Sequence, residues 1–403
     1  MEHQLVAAAE KALGWSSAGD LGRRFARGSL ADVELCPRLL TPTRLLDIVM
    51  RRSLAAHRLQ CLVDGTFVHP QNYLTQATAR RGNAVPMADM RRLGQLIDEG
   101  CTLVVDEVNT YDPTFEVASR ALQWWSRELV QANTYLTTGA AAGFNIHWDD
   151  HDVIVVQLSG SKNWEVRGLA RPAPMFRDAA PNPEPPDEVV WEGTMEVGDV
   201  MHIPRGYWHR ATRQERGQGH SLHVTFGFTK RTGVDWLTWL VDRSRRDELF
   251  RHDLERWAPT SVRAEQASAL REAATDLISR HTIDDFLAAR AQERPAGRHI
   301  VTHGVFGPVN AVVCVTDFPP HVSEQGNEVV IKAGQQELRF ARRALPALRL
   351  LLSGTPVAVC DVTATTGVDA ATLADALLAA DICAEFTAEL AAGYDGLVNS
   401  GAS

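Results

Sequence analysis

A histidine and an aspartate two positions apart, His147 and Asp149, stand just before a β-branched run, Val153 to Gln157, bounded by turn residues and readable as a strand. If the backbone is already extended at His147, side chains two apart share a face, so the imidazole and the carboxylate project together. That pair makes up two of the three ligands of the facial triad that holds non-haem Fe(II) and leaves coordination positions open. In a chain with 14 histidines, H-x-D also arises by chance, and a solvated polar turn would look the same. A second stretch, Gly198 to His209 (GDVMHIPRGYWH), constrains the fold further. Gly198-Asp199 signals a turn and Val200 to Ile203 a short strand, after which Pro204-x-Gly206 bends the chain and delivers His209.

The spacing G-x5-P-x-G-x2-H resembles the second motif of the cupin superfamily, in which that histidine is the distal metal ligand. Together with the upstream H-x-D it looks like the JmjC-type oxygenases, and the surrounding residues resemble their ribosomal oxygenase branch. Asn133, Tyr135 and Thr137 match an N-x-Y-x-T strand, GFNIHWDDHDVIVVQLSGSKNWEV (Gly143 to Val166) follows that branch's central pattern, and SLHVTFGF (Ser221 to Phe228) its closing strand. The resemblance implies an α+β fold: a double-stranded β-helix (cupin/JmjC barrel), then a helical dimerisation region and a C-terminal winged-helix-like module.

Composition sets wider bounds. A length of 403 residues suggests two or three domains, and 45% hydrophobic with 23% charged residues is ordinary for a soluble globular chain. Cys36, Cys61, Cys101, Cys314, Cys360 and Cys383 are scattered with no C-x-x-C, which argues against a disulfide framework or zinc module and favours reduced thiols in the cytoplasm. No apolar run approaches the ~18 residues of a membrane span, and the N-terminus lacks the pattern of a secretory signal. The net charge of -9 gives no overall footprint for nucleic acid.

In order, residues 1–232 are expected to form the oxygenase domain with an N-terminal α/β extension. Thr41 and Pro42 cap a helix start that continues over Arg44 to Arg52; Cys61 to Val68 and Thr102 to Val105 read as strands; Met87 to Glu99 reads as a helix closed by Gly100, and Phe115 to Gln131 as a long amphipathic helix. Proline donates no ladder hydrogen bond, so the Pro-rich Ala170 to Glu188 is a loop, either bordering the site or a plain connector. Residues 233–292 show apolar residues at three and four and would be helical, and the family uses this region for a homodimer. Residues 291–298 (AQERPAGR) read as a linker, and within 293–403 a hairpin at Ala333-Gly334 followed by a helix over Arg342 to Leu352 resembles a winged-helix module. From Pro295 onward, six basic residues against eleven acidic ones leave it at -5, which favours a structural or protein-contacting role over direct nucleic-acid binding.

Within the site, the resemblance makes His147, Asp149 and His209 the Fe(II) ligands, with 2-oxoglutarate and O2 in the open positions. His202, His220 and His223 compete: His202 should face away, while His223 could reach the pocket; His151 and Asp150 would lie beside the site or in solvent. A two-residue turn at Ser159-Gly160 would pair Gln157 with Lys162 and point both inward, and a buried lysine calls for an anion. The resemblance assigns Lys162 to the distal carboxylate of 2-oxoglutarate; Arg205 and Arg210 are the next candidates. It also turns Asn133, Tyr135 and Thr137 into the pocket, Tyr135 and Thr137 toward 2-oxoglutarate or the target side chain and Asn133 near the metal. Trp148 and Trp164 read as packing, and Ile146 stands where the family often has proline.

The expectation is an Fe(II)- and 2-oxoglutarate-dependent dioxygenase hydroxylating a protein or peptide side chain, arginine or histidine of a ribosomal protein first. The alternatives are a hydroxylase of a biosynthetic peptide or free amino acid, an Nε-methyl-lysine demethylase, and a non-enzymatic metal-binding cupin regulator.

Overall fold

The structure, a computed structural model, describes residues 1–78, 82, 84–176, 184–214, 216–291 and 299–398. Its main feature is an eight-stranded sheet in the order Ala26–Ser29, Asp199–Ile203, Asp152–Gly160, His220–Thr229, Leu129–Thr138, Thr102–Val105, Leu59–Val63, Thr66–Phe67. A three-stranded sheet, Val189–Met195, Lys162–Leu169, Tyr207–Thr212, lies across from it. The pairings within both are antiparallel.

Strand periodicity explains why both faces of the large sheet are used. In Leu129–Thr138, Val130, Ala132 and Leu136 enter the main core, where Leu222, Val224, Phe226 and Phe228 of the neighbouring strand join them. That face is covered by the helix Pro113–Ser126, whose Phe115 lies 6.2 Å from Phe226 between ring centroids. The alternate residues Asn133, Tyr135 and Thr137 project from the opposite face, toward the small sheet. Side chains from both sheets meet there: Lys162 Nζ on the small sheet donates to Thr137 Oγ1 on the large one (2.8 Å), and Trp164 meets the His223 ring edge-on at 5.3 Å.

The hairpin expected at Ser159-Gly160 does not form. Asp152–Gly160 pairs with strands of the large sheet and Lys162–Leu169 with strands of the small one, so Gln157 and Lys162 are not cross-strand partners. The chain instead steps from one sheet to the other at Gly160, which has φ +62° and where an added Cβ would collide with the His220 carbonyl oxygen. Gln157 spends its amide on Ser221 Oγ (2.9 Å) and on the Ser159 and Gly160 carbonyls.

Elsewhere differences are local. Thr41 caps the helix Pro42–Arg51, with Pro42 in its first turn. The expected strand over Cys61 to Val68 is two short strands, Leu59–Val63 and Thr66–Phe67, broken at Asp64-Gly65, both at positive φ. The helix expected from Met87 begins at Met90 because Asp89 caps it and Ala84–Ala88 pairs with Leu74–Thr78. The helix expected to reach Gln131 stops at Ser126, since Arg127 takes the left-handed conformation and the next strand starts at Leu129.

Two compact units divide the chain: residues 1–229, 299–319 and 341–403 form one, 230–298 and 320–340 the other. The first also contains a small sheet, Val357–Ala358, Ala311–Cys314, Cys383–Glu385, with the helices Leu345–Leu351, Val359–Thr366 and Ala370–Ala379. The second holds the helices Gly233–Ser244, Thr260–Arg280 and Ile283–Ala291, and the antiparallel pair His321–Gln325 and Glu328–Ala333. Of the linker expected over 291–298, Ala291 ends the helix Ile283–Ala291 and residues 292–298 lie outside the described residues, as do residues 177–183 of the Pro-rich loop. Among the described residues, no helix is long and apolar enough to cross a membrane. All six cysteines are free thiols, and only Cys360 is exposed.

Candidate active site

Two segments far apart in the chain are clipped together by backbone. His147 N donates to His209 O (3.0 Å) and His209 N to His147 O (2.7 Å), a reciprocal pair that bridges His147 to the strand Tyr207–Thr212. Gly206 N donates to Asp149 O (2.8 Å), securing the bend that Pro204 and Gly206 create. Gly206 has φ +83°, and an added Cβ would press within 3.0 Å of Pro174 and Leu169. The outcome is a cluster: one donor atom each from His147, Asp149 and His209 lies within 4.8 Å of the others.

Hydrogen bonds orient both imidazoles. Nδ1 of His147 faces the Asn145 carbonyl (2.8 Å) and Nδ1 of His209 the Tyr207 carbonyl (3.1 Å), so each ring donates there and keeps Nε2 free as a lone-pair donor. His209 Nε2 is 3.6 Å from Asp149 Oδ2, and the two rings are 4.4 Å apart. Burial first, and the neighbouring His147 second, hold His209 well below the usual histidine range, so it is neutral. Two imidazoles and one carboxylate converging on one point are the donor set that suits Fe(II) with open positions.

Lys162 is 1% exposed, and among the described residues no carboxylate forms an ion pair with it. Burial, and then the nearby Arg213, push its ammonium down to about 7. Arg213 is itself held by the carbonyls of Gly139 (2.9 Å), Ser161 (2.6 Å) and His220 (2.9 Å). A buried cation beside a second cation is an unfavourable arrangement unless an anion arrives. Thr137, bonded to Lys162, also meets Thr102 Oγ1 at 2.9 Å.

Tyr135 stacks on His223 (4.8 Å, 9°) and its hydroxyl is hydrogen-bonded to Asn133. Asn133 thus reaches Tyr135 and, through Oδ1, the Glu107 N–H (2.8 Å). His223 is buried and neutral, with burial and then Lys162 holding its pKa well below normal; its Nδ1 has no partner. His202 points away, accepting from Gly22 N and lying against Trp15. His220 bonds Ser159, and Arg210, one of the next candidates after Lys162 for a bound carboxylate, is paired with Glu165 (2.5 Å). Arg205 donates its backbone N–H to Asp152 Oδ1 (2.9 Å).

Sequence reasoning missed Phe144, whose ring lies 6.2 Å from Tyr135 and 5.5 Å from His147, and Phe67, 5.8 Å from Phe144 and 57% exposed. No spacing rule marks them, because the Phe144 segment has no strand period. Trp148 packs on the exposed Phe176 at 4.6 Å, while Trp164 lies buried beside His209 with its Nε1 unpartnered.

Residues 111–235 match the JmjC domain. The chain is 31% identical over 195 residues to the bifunctional lysine-specific demethylase and histidyl-hydroxylase NO66 of Caenorhabditis elegans, covering 45% of this chain and 24% of that protein. It is 33% identical over 129 residues to ribosomal oxygenase 1 of Gallus gallus, covering 31% and 21%. The chain therefore spans about a quarter of the length of the curated relatives it matches. Among solved structures it is similar to YcfD, a ribosomal oxygenase from Escherichia coli (TM-score 0.55, 16% identity, 95% of this chain and 99% of that one). It is also similar to YcfD in complex with cobalt and 2-oxoglutarate (TM-score 0.54, 15% identity, 95% and 98%). These likenesses give the fold: the two sheets are a JmjC/cupin-type arrangement of mixed strands and helices.

His209→Ala or Asp149→Ala should weaken divalent-metal binding by more than the roughly ten- to hundred-fold typical of losing a ligand's supporting partner. Calorimetric titration with Co(II) reads this, with the melting temperature as a control on folding. An unchanged Kd in either variant removes that residue from the ligand set.

Proposed function

We propose that this chain is an Fe(II)- and 2-oxoglutarate-dependent dioxygenase that hydroxylates a side chain of a protein or peptide, with arginine or histidine of a ribosomal protein as the first choice. The observation that carries the reading is the joint occurrence, in one JmjC domain, of an oriented His-Asp-His cluster and a buried lysine that lacks an anion. The names of the relatives, histidyl-hydroxylase and ribosomal oxygenase, and the cobalt and 2-oxoglutarate in a YcfD complex support it.

In this reading His147 Nε2, His209 Nε2 and an Asp149 oxygen hold the metal, and Lys162 and Thr137 hold the distal carboxylate of 2-oxoglutarate. Fe(II) with 2-oxoglutarate, when bound, supplies O2 activation and delivery of one oxygen atom to a C–H bond, with CO2 and succinate as co-products. The chain's own residues supply geometry and dryness. The Asn145 and Tyr207 carbonyls fix the imidazole tautomers, and Trp164 and His223 wall the pocket against water. Lys162 gains a proton as the carboxylate docks, which turns an unfavourable buried amine into half of an ion pair. Tyr135 and Asn133 face the target side chain.

The assembly proposal is a homodimer through the helical region, residues 233–292. On Gly233–Ser244, Val234, Leu237 and Val241 recur at three and four and are 54%, 51% and 58% exposed; Trp257 is 91% exposed. In this division residues 1–232 are the oxygenase domain and 293–403 a winged-helix-like, protein-contacting module at -5. Five buried free thiols are consistent with a reducing cytoplasm.

The activity is tested by incubating the protein with Fe(II), 2-oxoglutarate and ribosomal proteins: succinate should form, and mass spectrometry should find one added oxygen on an arginine or histidine. Absence of Fe(II)-dependent succinate formation would remove the oxygenase reading. A charged hydrogen bond to a carboxylate contributes about 1.5–3 kcal/mol, so Lys162→Ala should raise the KM for 2-oxoglutarate roughly ten- to hundred-fold. The free ammonium is present below about 7 and lost above it, so wild-type affinity should fall about tenfold per pH unit on the alkaline side. Lys162→Arg, which does not titrate there, should bind more weakly than wild type at neutral pH but with a flat profile. A flat wild-type profile would place the carboxylate elsewhere. For assembly, light scattering should give a dimer at micromolar concentration and a monomer for Leu237→Asp; a wild-type monomer would rule the dimer out.

A further inference from the structure

The inward face of the large sheet continues beyond the residues that hold the cosubstrate in the reading above. Thr102 and Val104 pair in register with Thr137 and Tyr135, and the Thr102–Thr137 hydroxyl contact shows that the four share one face. Asp106, two residues after Val104, still belongs to the ladder, because its N–H donates to the Arg58 carbonyl (3.0 Å). Its carboxylate lies on that same face: Gln60, the cross-strand neighbour of Val104, donates to Asp106 Oδ2 (3.0 Å). Among the described residues Gln60 is the one side chain hydrogen-bonded to it. One step beyond the Val105–Thr134 pair, where the Glu107 N–H donates to Asn133 Oδ1 (2.8 Å), Asp106 falls at the Asn133 end of the row that carries Tyr135.

The charges around Asp106 are otherwise matched. Arg58 is bonded to Glu107 (2.6 Å), and Asn133 takes the Glu107 N–H through its side-chain oxygen. Burial pushes the Asp106 carboxyl up to about 6, against the pull of Arg58, so near neutral pH it is a largely ionised, half-buried anion. Among the described residues Asp106 is the carboxylate on this row. The row is thus sorted by charge, with Lys162 at the Thr137 end and Asp106 at the Asn133 end.

We propose that Asp106 is a specificity-determining residue whose carboxylate receives the cationic head, guanidinium or ammonium, of the target side chain lying along Tyr135 and Asn133. The inference rests on the oxygenase reading and deepens it to a class of target: a basic side chain. A neutral isostere would leave the carboxylate half-buried and unmatched, which is where discrimination comes from.

The test uses the full chain with Fe(II), 2-oxoglutarate and pools of short degenerate peptides whose central residue is fixed as arginine, lysine, citrulline or leucine. Oxygen added to the central residue is read by mass spectrometry and succinate is read in parallel. At least one cationic pool should exceed the citrulline pool by about tenfold or more in kcat/KM, the scale of a charged hydrogen bond. Asp106→Asn should bring that ratio to near unity, and Asp106→Glu, which keeps the charge, should retain a preference for the cationic pool. The ratio within each protein is the readout, so a general loss of activity does not imitate the effect. Wild-type kcat/KM for citrulline equal to that for both arginine and lysine, or a preference that survives Asp106→Asn, overturns the proposal. So does succinate formation with no pool oxidised. No succinate in any mixture overturns the oxygenase reading itself, and the selectivity outcomes do not.

Discussion

Two backbone hydrogen bonds, exchanged between His147 and His209, fix the geometry on which the site depends. They lock two residues from distant segments into one antiparallel bridge, so both imidazoles leave the backbone from adjacent points. Because the bridge uses only main-chain atoms, it places no demand on the side chains, which stay free to be ligands. The Gly206–Asp149 bond adds a third tie from the same bend. A triad built this way is preorganised by the fold, and a metal would complete it without having to assemble it.

The second organising constraint is electrostatic. Lys162 and His223 are buried between the two sheets, and their pKa directions, both downward through burial, show that the interior disfavours positive charge unless something compensates it. Arg213 sharpens the effect, since its own charge is held in place by carbonyls and cannot move away. An interior that lowers a lysine toward neutrality while offering it no carboxylate is tuned for an arriving anion, and the binding step carries a proton with it.

Much of this was legible in the sequence, though not always for the right reason. His147, Asp149 and His209 follow from two short motifs whose local backbone rules hold in the structure. The JmjC/cupin-type arrangement of strands and helices followed from the resemblance. Lys162 is inward-facing as expected, but the hairpin invoked to place it is absent: Gly160 passes the chain between sheets, a step that looks like a two-residue turn in sequence. Helix ends failed where capping chemistry overrode apolar periodicity, at Asp89 and Arg127. Phe67 and Asp106 were invisible because each belongs to the site only through the pairing of segments distant in the chain, which one sequence does not state, and Phe144 because its segment has no strand period.

The mouth of the pocket shows how that register is held. Glu107 takes φ 50°, a left-handed conformation that is unfavourable by roughly 1–3 kcal/mol for a residue with a side chain. Three contacts hold it there: its N–H is taken by Asn133 Oδ1, its carboxylate by Arg58, and the following turn is closed by Thr110 N to its carbonyl (2.8 Å). The strained residue directly follows Asp106, so the sharp exit of the chain ends the strand while the Asp106 carboxylate still faces inward. An ordinary extended Glu107 would carry the ladder onward and shift where Asn133 and Arg58 find partners. The strain at Glu107 and the orientation of the polar row are therefore one feature, and the Asn133 side chain that joins them is as much a part of the mouth as any group touching the metal.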